Sequence, residues 1–361
     1  MKIDQLLPVM HYGDAVGNDA LAIRDIIRSM GYTSDIYVID HEGSIDSRLS
    51  NQKILYVDDF SCNSDDIVIM HFAVSSALTY IIEKLDCRKI MIYHNITPSS
   101  FFSKYDSNVY NATKNGLDEV IYLKDKFDYC LADSEFNKKD LISYGYKCDI
   151  DVLPVIIPFS DYETKPSEEV LSKYSDDCIN LLYVGRIAPN KKIENVIVTY
   201  YYYQKHYNKN SRLFLAGSAG GMERYKDRLE KYMTELGVDN VIFTGHIKFD
   251  ELIAYYKLAD VYVCMSEHEG FCVPLVESMY FDLPIVAASH AAVPGTLGGS
   301  GILLDKITPP EAAGVVDILV SNQELRNTVI KTQQDRLNDF SYSSVKAKLE
   351  SYLNKFIRED T

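Results

Sequence analysis

Short apolar runs alternate with amphipathic helical stretches along nearly all of this 361-residue chain, and they do so in two successive blocks. In the first block Ile3–Val9 reads as a strand and Asn18–Met30 as a helix closed by Gly31. The runs Asp35–Ile39, Asp66–His71, Lys89–His94, Asp128–Ala132 and Asp149–Val155 follow, each bounded by polar turns. The second block holds Ile179–Val184, Arg212–Ala216, Val241–Phe243, Val261–Met265, Ile285–Ala288 and Ile302–Leu304. Short buried strands separated by helices imply parallel sheets covered on both faces. The expected fold class is therefore α/β, with two doubly wound, Rossmann-like domains. The polar, aperiodic stretch Pro158–Asp177 is the expected join, giving domains of residues 1–158 and 178–341. The last helical segment, Tyr342–Ile357, places Val345, Leu349, Tyr352 and Phe356 on one face. It is expected to pack back on the first domain, so residues from about 342 to 361 are counted with that domain.

Composition narrows the partners. The net charge is −15, which argues against nucleic acid, because binding phosphate backbones needs basic surface. The acidity is shared: residues 1–160 carry 15 Lys/Arg against 24 Asp/Glu, and the remainder 22 against 28. Any basic site must then be local. The seven cysteines form no C-x-x-C pair, which fits free thiols in a reducing cytoplasm. No signal segment or run of about 18 apolar residues is seen. The sequons at Asn95 and Asn111 are accordingly read as chance matches. The lysines between Lys104 and Lys139 are interleaved with acids. They read as a solvated surface, with peripheral contact to the inner face of a membrane as the alternative.

In doubly wound domains ligands bind beyond the carboxyl ends of the strands, and four such places carry polar residues. Ser266–Glu277 follows the strand Val261–Met265 and opens a helix at Pro274. Glu269 falls in the loop and Glu277 in the first helical turn, on either side of N–H groups suited to an anion. A nucleotide sugar, with a diphosphate between two hydroxyl-bearing ends, has the matching shape. Against this, a Glu near a helix start is favoured by the macrodipole alone. Arg186 and Lys191 follow the strand Ile179–Val184; they suit a diphosphate, or else form a solvated basic turn. His94 ends the strand Lys89–His94, placed to bond a hydroxyl or phosphate, although a satisfied structural histidine is the commoner case. Gly13-Asp14-Ala15-Val16-Gly17-Asn18-Asp19 could bring a backbone close to phosphate; it could equally be a turn capped by Asn18 or Asp19. The glycine-rich exit Leu215–Gly221 reads as a turn, and Asp149-Ile150-Asp151 as a chance D-x-D match. No dinucleotide fingerprint, zinc-ligand spacing or G-x-S-x-G elbow is present.

Taken together these motifs resemble the family-4 retaining glycosyltransferases of the GT-B fold. Glu269-Gly270-Phe271 through Glu277 is similar to that family's E-x7-E element, and Val184-Gly185-Arg186 with Lys191 to its phosphate-binding Arg/Lys pair. Phe243-Thr244-Gly245, Leu258–Val261, Asp133–Phe136 and Asp339–Tyr342 fall in the family's order. The resemblance implies two domains facing a cleft, the first on the acceptor side and the second holding the donor. It implies that Arg186 and Lys191 neutralise the leaving diphosphate and Glu277 binds the ribose. Glu269 would contact the donor sugar, lined by the backbone of Gly270, Phe271 and Cys272. Leu275 and Val276 would offer N–H groups to phosphate, Gly17 would allow close approach to the diphosphate, and His94 would lie near the sugar. Cys272, Lys192 and Asp282 stand where the family usually has glycine, Ser278 where it has alanine, and Gly295 where many members have glutamate. The implied activity is metal- and cofactor-independent retaining transfer of a hexose, from a UDP- or GDP-linked donor to a hydroxyl of a glycan or lipid-linked acceptor. Surface-polysaccharide or glycoconjugate synthesis would be its setting. A nucleotide-sugar epimerase or hydrolase of the same fold, and a noncatalytic sugar-nucleotide-binding subunit, are the alternatives.

Overall fold

The computed structural model describes residues 1–11, 13–39, 43, 45, 49–306 and 308–358. The tail 359–361, counted above with the first domain, lies outside the described residues. By contact the chain forms two compact units. One comprises Met1–Ser99, Tyr110–Pro158 and Asp339–Thr361, the other Ser100–Val109 and Phe159–Asn338.

The first unit runs β1 (Ile3–Leu7), α1 (Ala15–Ser29), β2 (Ile36–Val38), β3 (Ile54–Tyr56), β4 (Ile67–Phe72), α2 (Leu78–Ile82), β5 (Arg88–Tyr93), α3 (Ser107–Tyr122), β6 (Tyr129–Ala132), α4 (Glu135–Tyr144) and β7 (Asp149–Val152). Its strands form one sheet in the order β3-β2-β1-β4-β5-β6-β7, with every pairing parallel. Side chains alternate across it, as the two-residue strand period requires. Val68, Met70, Met91, Tyr93 and Cys130 pack with Leu78, Val120 and Leu141 of α2, α3 and α4. Ile67, Ile69, Ile90, Ile92 and Leu131 face the other way, onto Ile23 and Ile27 of α1. The edge strand β3 has no counterpart in the sequence reading, because a three-residue run is too short to stand out. Helix α1 begins three residues before the expected Asn18: Asp14 is the cap and accepts from the Gly17 N–H at 3.3 Å. That frees Asp19 to turn inward, where its carboxylate accepts the Ile156 N–H at 2.8 Å.

The second unit contains α5 (Glu168–Lys173), β8 (Ile179–Val184), α6 (Ile193–His206), β9 (Ser211–Ala216), α7 (Glu223–Leu236), β10 (Val241–Gly245), α8 (Phe249–Leu258), β11 (Val261–Cys264), α9 (Val273–Tyr280), β12 (Ile285–Ala288), α10 (Val293–Leu297), β13 (Ile302–Leu304), α11 (Pro309–Ser321) and α12 (Gln323–Leu337). The sheet order is β10-β9-β8-β11-β12-β13, again parallel throughout. The expected polar join, Pro158–Asp177, carries a 3-10 turn at Phe159–Glu163 and α5, and both belong to this unit.

Helix α13 (Tyr342–Arg358) returns to the first unit. Val345, Leu349, Leu353 and Phe356 are buried in the cluster that α1 also covers. Lys355 pairs with Asp149 at 2.7 Å, and the Tyr352 hydroxyl donates to the Val152 carbonyl. Asp151 accepts from the Tyr129 hydroxyl at 2.7 Å, so both acids of the D-x-D stretch have local partners. No helix among the described residues is long and apolar enough to cross a membrane.

Candidate functional site

In the second unit the strand order reverses between β8 and β11. Such a switch point opens a crevice at the carboxyl ends of its two strands. The loops leaving β8 and β11 are the two that carry Arg186–Lys191 and Ser266–Cys272. Asn190 ties them together: its carbonyl accepts the Glu267 N–H at 2.9 Å, and its side-chain amide donates to the His268 carbonyl at 3.1 Å. The tie brings Lys191 Nζ to 2.5 Å from Glu269 Oε2. Burial works against the lysine charge, but the Glu269 carboxylate outweighs it and holds the pKa above the ordinary value. Lys192 makes a second pair with Glu267 at 3.0 Å. Arg186 is exposed and donates to the Gly220 carbonyl at 3.1 Å. Glycine is required at Gly217, where φ is +154° and an added Cβ would lie 2.0 Å from the Gly185 carbonyl oxygen. The glycine-rich exit from β9 is therefore a close packing of two backbones.

Glu277 is the fifth residue of α9, one position further into the helix than expected, because the helix starts at Val273 rather than Pro274. Its carboxylate is buried and accepts from the hydroxyls of Tyr162 and Tyr256, each at 2.6 Å. Burial raises its pKa, and the two hydroxyls offset part of that rise. Neither tyrosine was marked by the sequence: Tyr162 lies in the stretch read as a join, and Tyr256 is one of two adjacent buried tyrosines of α8. Leu275 and Val276 are fully buried, and the Leu275 N–H already donates to the Cys272 carbonyl at 3.0 Å. The Leu275 N–H, expected to face phosphate, is thus already engaged by the turn that opens α9. Phe271 is buried, with its carbonyl accepting from Thr296 at 2.5 Å. Cys272, Lys192 and Asp282, the three residues in usual glycine positions, all adopt left-handed backbone, with φ of +73°, +49° and +54°. Gly270 connects Glu269 to this turn. Ser278 satisfies its hydroxyl on the Pro274 carbonyl one turn back at 2.7 Å.

The remaining expected residues, Gly17 and His94, lie in the first unit. An added Cβ at Gly17 would stand 3.0 Å from the His11 carbonyl oxygen, so the packing of α1 itself demands glycine there. His94 follows β5 and Asp133 follows β6, with Tyr93 and Ala132 in register just before them. Their side chains meet at 2.9 Å through His94 Nδ1. The other ring nitrogen, Nε2, lies 2.9 Å from His71 Nδ1, and His71 Nε2 lies 2.8 Å from Gln5 Oε1.

Proton positions along this chain follow from its far end. The Ala20 carbonyl can only accept, so it receives Gln5 Nε2 at 3.0 Å. The Gln5 carbonyl oxygen then faces His71, which donates from Nε2; burial keeps that ring neutral, so its Nδ1 accepts. His94 Nε2 must therefore carry a proton, and so must Nδ1 to donate to the Asp133 carboxylate. His94 is an imidazolium with both nitrogens engaged. Burial opposes its charge, but Asp133, with help from Asp19 and Asp14, outweighs burial and raises the pKa. Burial and the neighbouring cation hold His71 well below the ordinary value. Asp133 Oδ1 is buried and has no hydrogen-bond partner among the described residues. Gln5 and His71 were missed, though a glutamine and a histidine inside otherwise apolar strands were a usable signal.

Residues 169–336 match the glycosyl transferases group 1 family. An uncharacterized glycosyltransferase of Methanocaldococcus jannaschii is 27% identical over 72% of this chain and 67% of its own length. D-inositol 3-phosphate glycosyltransferase of Corynebacterium glutamicum is 24% identical, over 66% of this chain and 60% of its own. The chain thus spans about two thirds or less of the curated relatives it matches. Among solved structures, HepE of Anabaena in complex with UDP-glucose superposes with a TM-score of 0.75 at 17% identity, covering 98% of this chain and 100% of that one. That likeness carries the fold, a pair of Rossmann-like domains of the GT-B kind. With its switch-point loops and its sequence match, the stretch 169–336 is a glycosyl transferases group 1 domain.

Proposed function

We propose that the chain is a retaining, metal-independent glycosyltransferase that moves a hexose from a UDP- or GDP-linked donor to an acceptor hydroxyl. The observation that carries this reading is the Lys191–Glu269 pair at the β8/β11 switch point of a group 1 domain. The pair sets a cation and a carboxylate side by side, as a substrate with a diphosphate next to a polyhydroxyl ring requires. Breaking the anomeric C–O bond sends its electron pair to the diphosphate. Lys191, with Arg186 on the same loop, meets that charge where it develops. Glu269 orients sugar hydroxyls and favours the positive character of the anomeric carbon. The acceptor hydroxyl attacks from the side of the leaving group, and its proton passes to the departing phosphate, so no enzymic nucleophile is needed. Glu277 receives the ribose hydroxyls, which replace the Tyr162 hydroxyl on its carboxylate. Gly270, Phe271 and Cys272 line the sugar. Polysaccharide or glycoconjugate synthesis at the inner face of a membrane is the setting that fits such an acceptor.

Glu269→Gln should lower turnover by about 10²-fold or more while leaving nucleoside diphosphate affinity nearly unchanged. The assay follows donor consumption and the anomeric configuration of the product, with and without a chelator. Unchanged turnover in the variant would sink the role of Glu269. Loss of transfer on chelation would refute metal independence, and an inverted product would refute retention.

A further inference from the structure

Two clusters of metal-ligating side chains occur among the described residues: Asp19, His71 and His94 in the first unit, and Cys264, Glu269 and Cys272 in the second. In the first, the imidazole nitrogens that bridge His71 and His94 and reach Asp133 and Gln5 are all engaged in hydrogen bonds. A cation there would have to break the chain. In the second, two thiols and a carboxylate oxygen lie within 4.8 Å of one another, and all three residues are at least nine-tenths buried. Neither cysteine is in a disulfide.

We propose that Cys264, Cys272 and Glu269 form a binding site for a thiophilic divalent cation such as Zn²⁺ or Cd²⁺. Tetrahedral coordination puts thiolate and carboxylate ligand atoms roughly 3.5–3.8 Å apart, so closing the site needs side-chain movements of about an ångström. Two thiolates select soft cations over Mg²⁺ or Ca²⁺. The charges also close. Binding releases two thiol protons to solvent. The cation, two thiolates, the Glu269 carboxylate and the adjacent Lys191 ammonium then sum to zero, as a buried site demands. Three protein ligands leave one position open, as in sites that keep a water. The two sulfurs come from the end of β11 and from the residue before α9. The site is therefore spanned by the loop whose sequence is Met265–Phe271, and a bound cation would fix that loop and withdraw Glu269 from Lys191. This inference goes beyond the transfer reaction and does not need it.

The test is titration of Cd²⁺ into the reduced, metal-free chain, read by sulfur-to-metal charge-transfer absorption. The wild type should bind one equivalent with that band. Cys264→Ser and Cys272→Ser should each remove it, and Glu269→Gln should weaken binding tenfold or more. The chain holds two other close thiol pairs among the described residues, Cys130 with Cys148 at 3.6 Å and Cys62 with Cys87, so Cys148→Ser and Cys62→Ser are the controls and should each leave the equivalent intact. Should either serine variant fail to fold, the other and Glu269→Gln decide. Absence of the band in the wild type, its survival in a folded Cys264→Ser or Cys272→Ser protein, or its loss in Cys148→Ser or Cys62→Ser would overturn the proposal.

Discussion

The Gln5 amide fixes the protons of His71 and His94 over three hydrogen bonds, and this has consequences that titration can read. Because the folded pKa of His94 lies above the ordinary 6.5, its pairing with Asp133 adds stability below that value. The contribution is lost as pH rises through the folded-state pKa. In Asp133→Asn the counter-charge is gone and burial dominates, so the His94 ring should titrate below the ordinary value. Proton NMR of the ring resonances checks this, and an unchanged titration would contradict the imidazolium assignment. Asp19 behaves in the opposite sense. Burial first, against partial relief from His94, raises its pKa from 3.8 to about 7. Between those values the folded state holds a proton that the unfolded state has lost, so stability falls as pH rises across the window. Asp19→Asn keeps an acceptor for the Ile156 N–H and cannot ionise. Its stability relative to wild type should therefore rise by about 2–3 kcal/mol between pH 5 and pH 8. Urea unfolding at the two pH values measures it, and a constant difference would show that Asp19 does not titrate in this range.

Elements that are apolar along their whole length were readable because burial on both faces leaves little choice of residue. The runs at Val261–Cys264 and Ile285–Ala288 are such strands, and the heptad-like face of α13 is equally plain. Leu349 on that face is fully buried against the sheet. Leu349→Ala should cost about 2–5 kcal/mol of unfolding free energy in urea; a loss below 1 kcal/mol would mean that α13 is not anchored there. What stayed hidden depends on tertiary partners. The strand β3 is defined by its neighbour β2 rather than by its own three residues. The start of α1 is set by Asp14, where the sequence reading offered Asn18 or Asp19 as the cap. The loops around Arg186, Lys191 and Glu269 were legible from their position at strand ends. The Tyr162 and Tyr256 hydroxyls on Glu277 were not, because contacts across 115 and 21 residues leave no local pattern. The engagement of the Leu275 N–H was not legible because sequence places it at a helix start without showing how tightly that start is packed.

At the scale of the molecule the chain is two parallel-sheet units, each with its strand order reversed once, between β1 and β4 and between β8 and β11. The first reversal is lined by the buried chain from Gln5 to Asp133, whose groups are already satisfied except at Asp133 Oδ1. The second carries the exposed Arg186 and the Lys191–Glu269 pair, whose charges are available for exchange with a ligand. The central claim is that this second reversal holds a nucleoside diphosphate. Titration calorimetry of UDP, GDP, ADP and CDP into the wild type, Arg186→Ala and Lys191→Ala tests it directly. At least one of the four should bind the wild type, and each substitution should weaken that binding about tenfold or more, near 1.4 kcal/mol. Failure of all four to bind, or equal affinity in the wild type and both variants, would contradict the account.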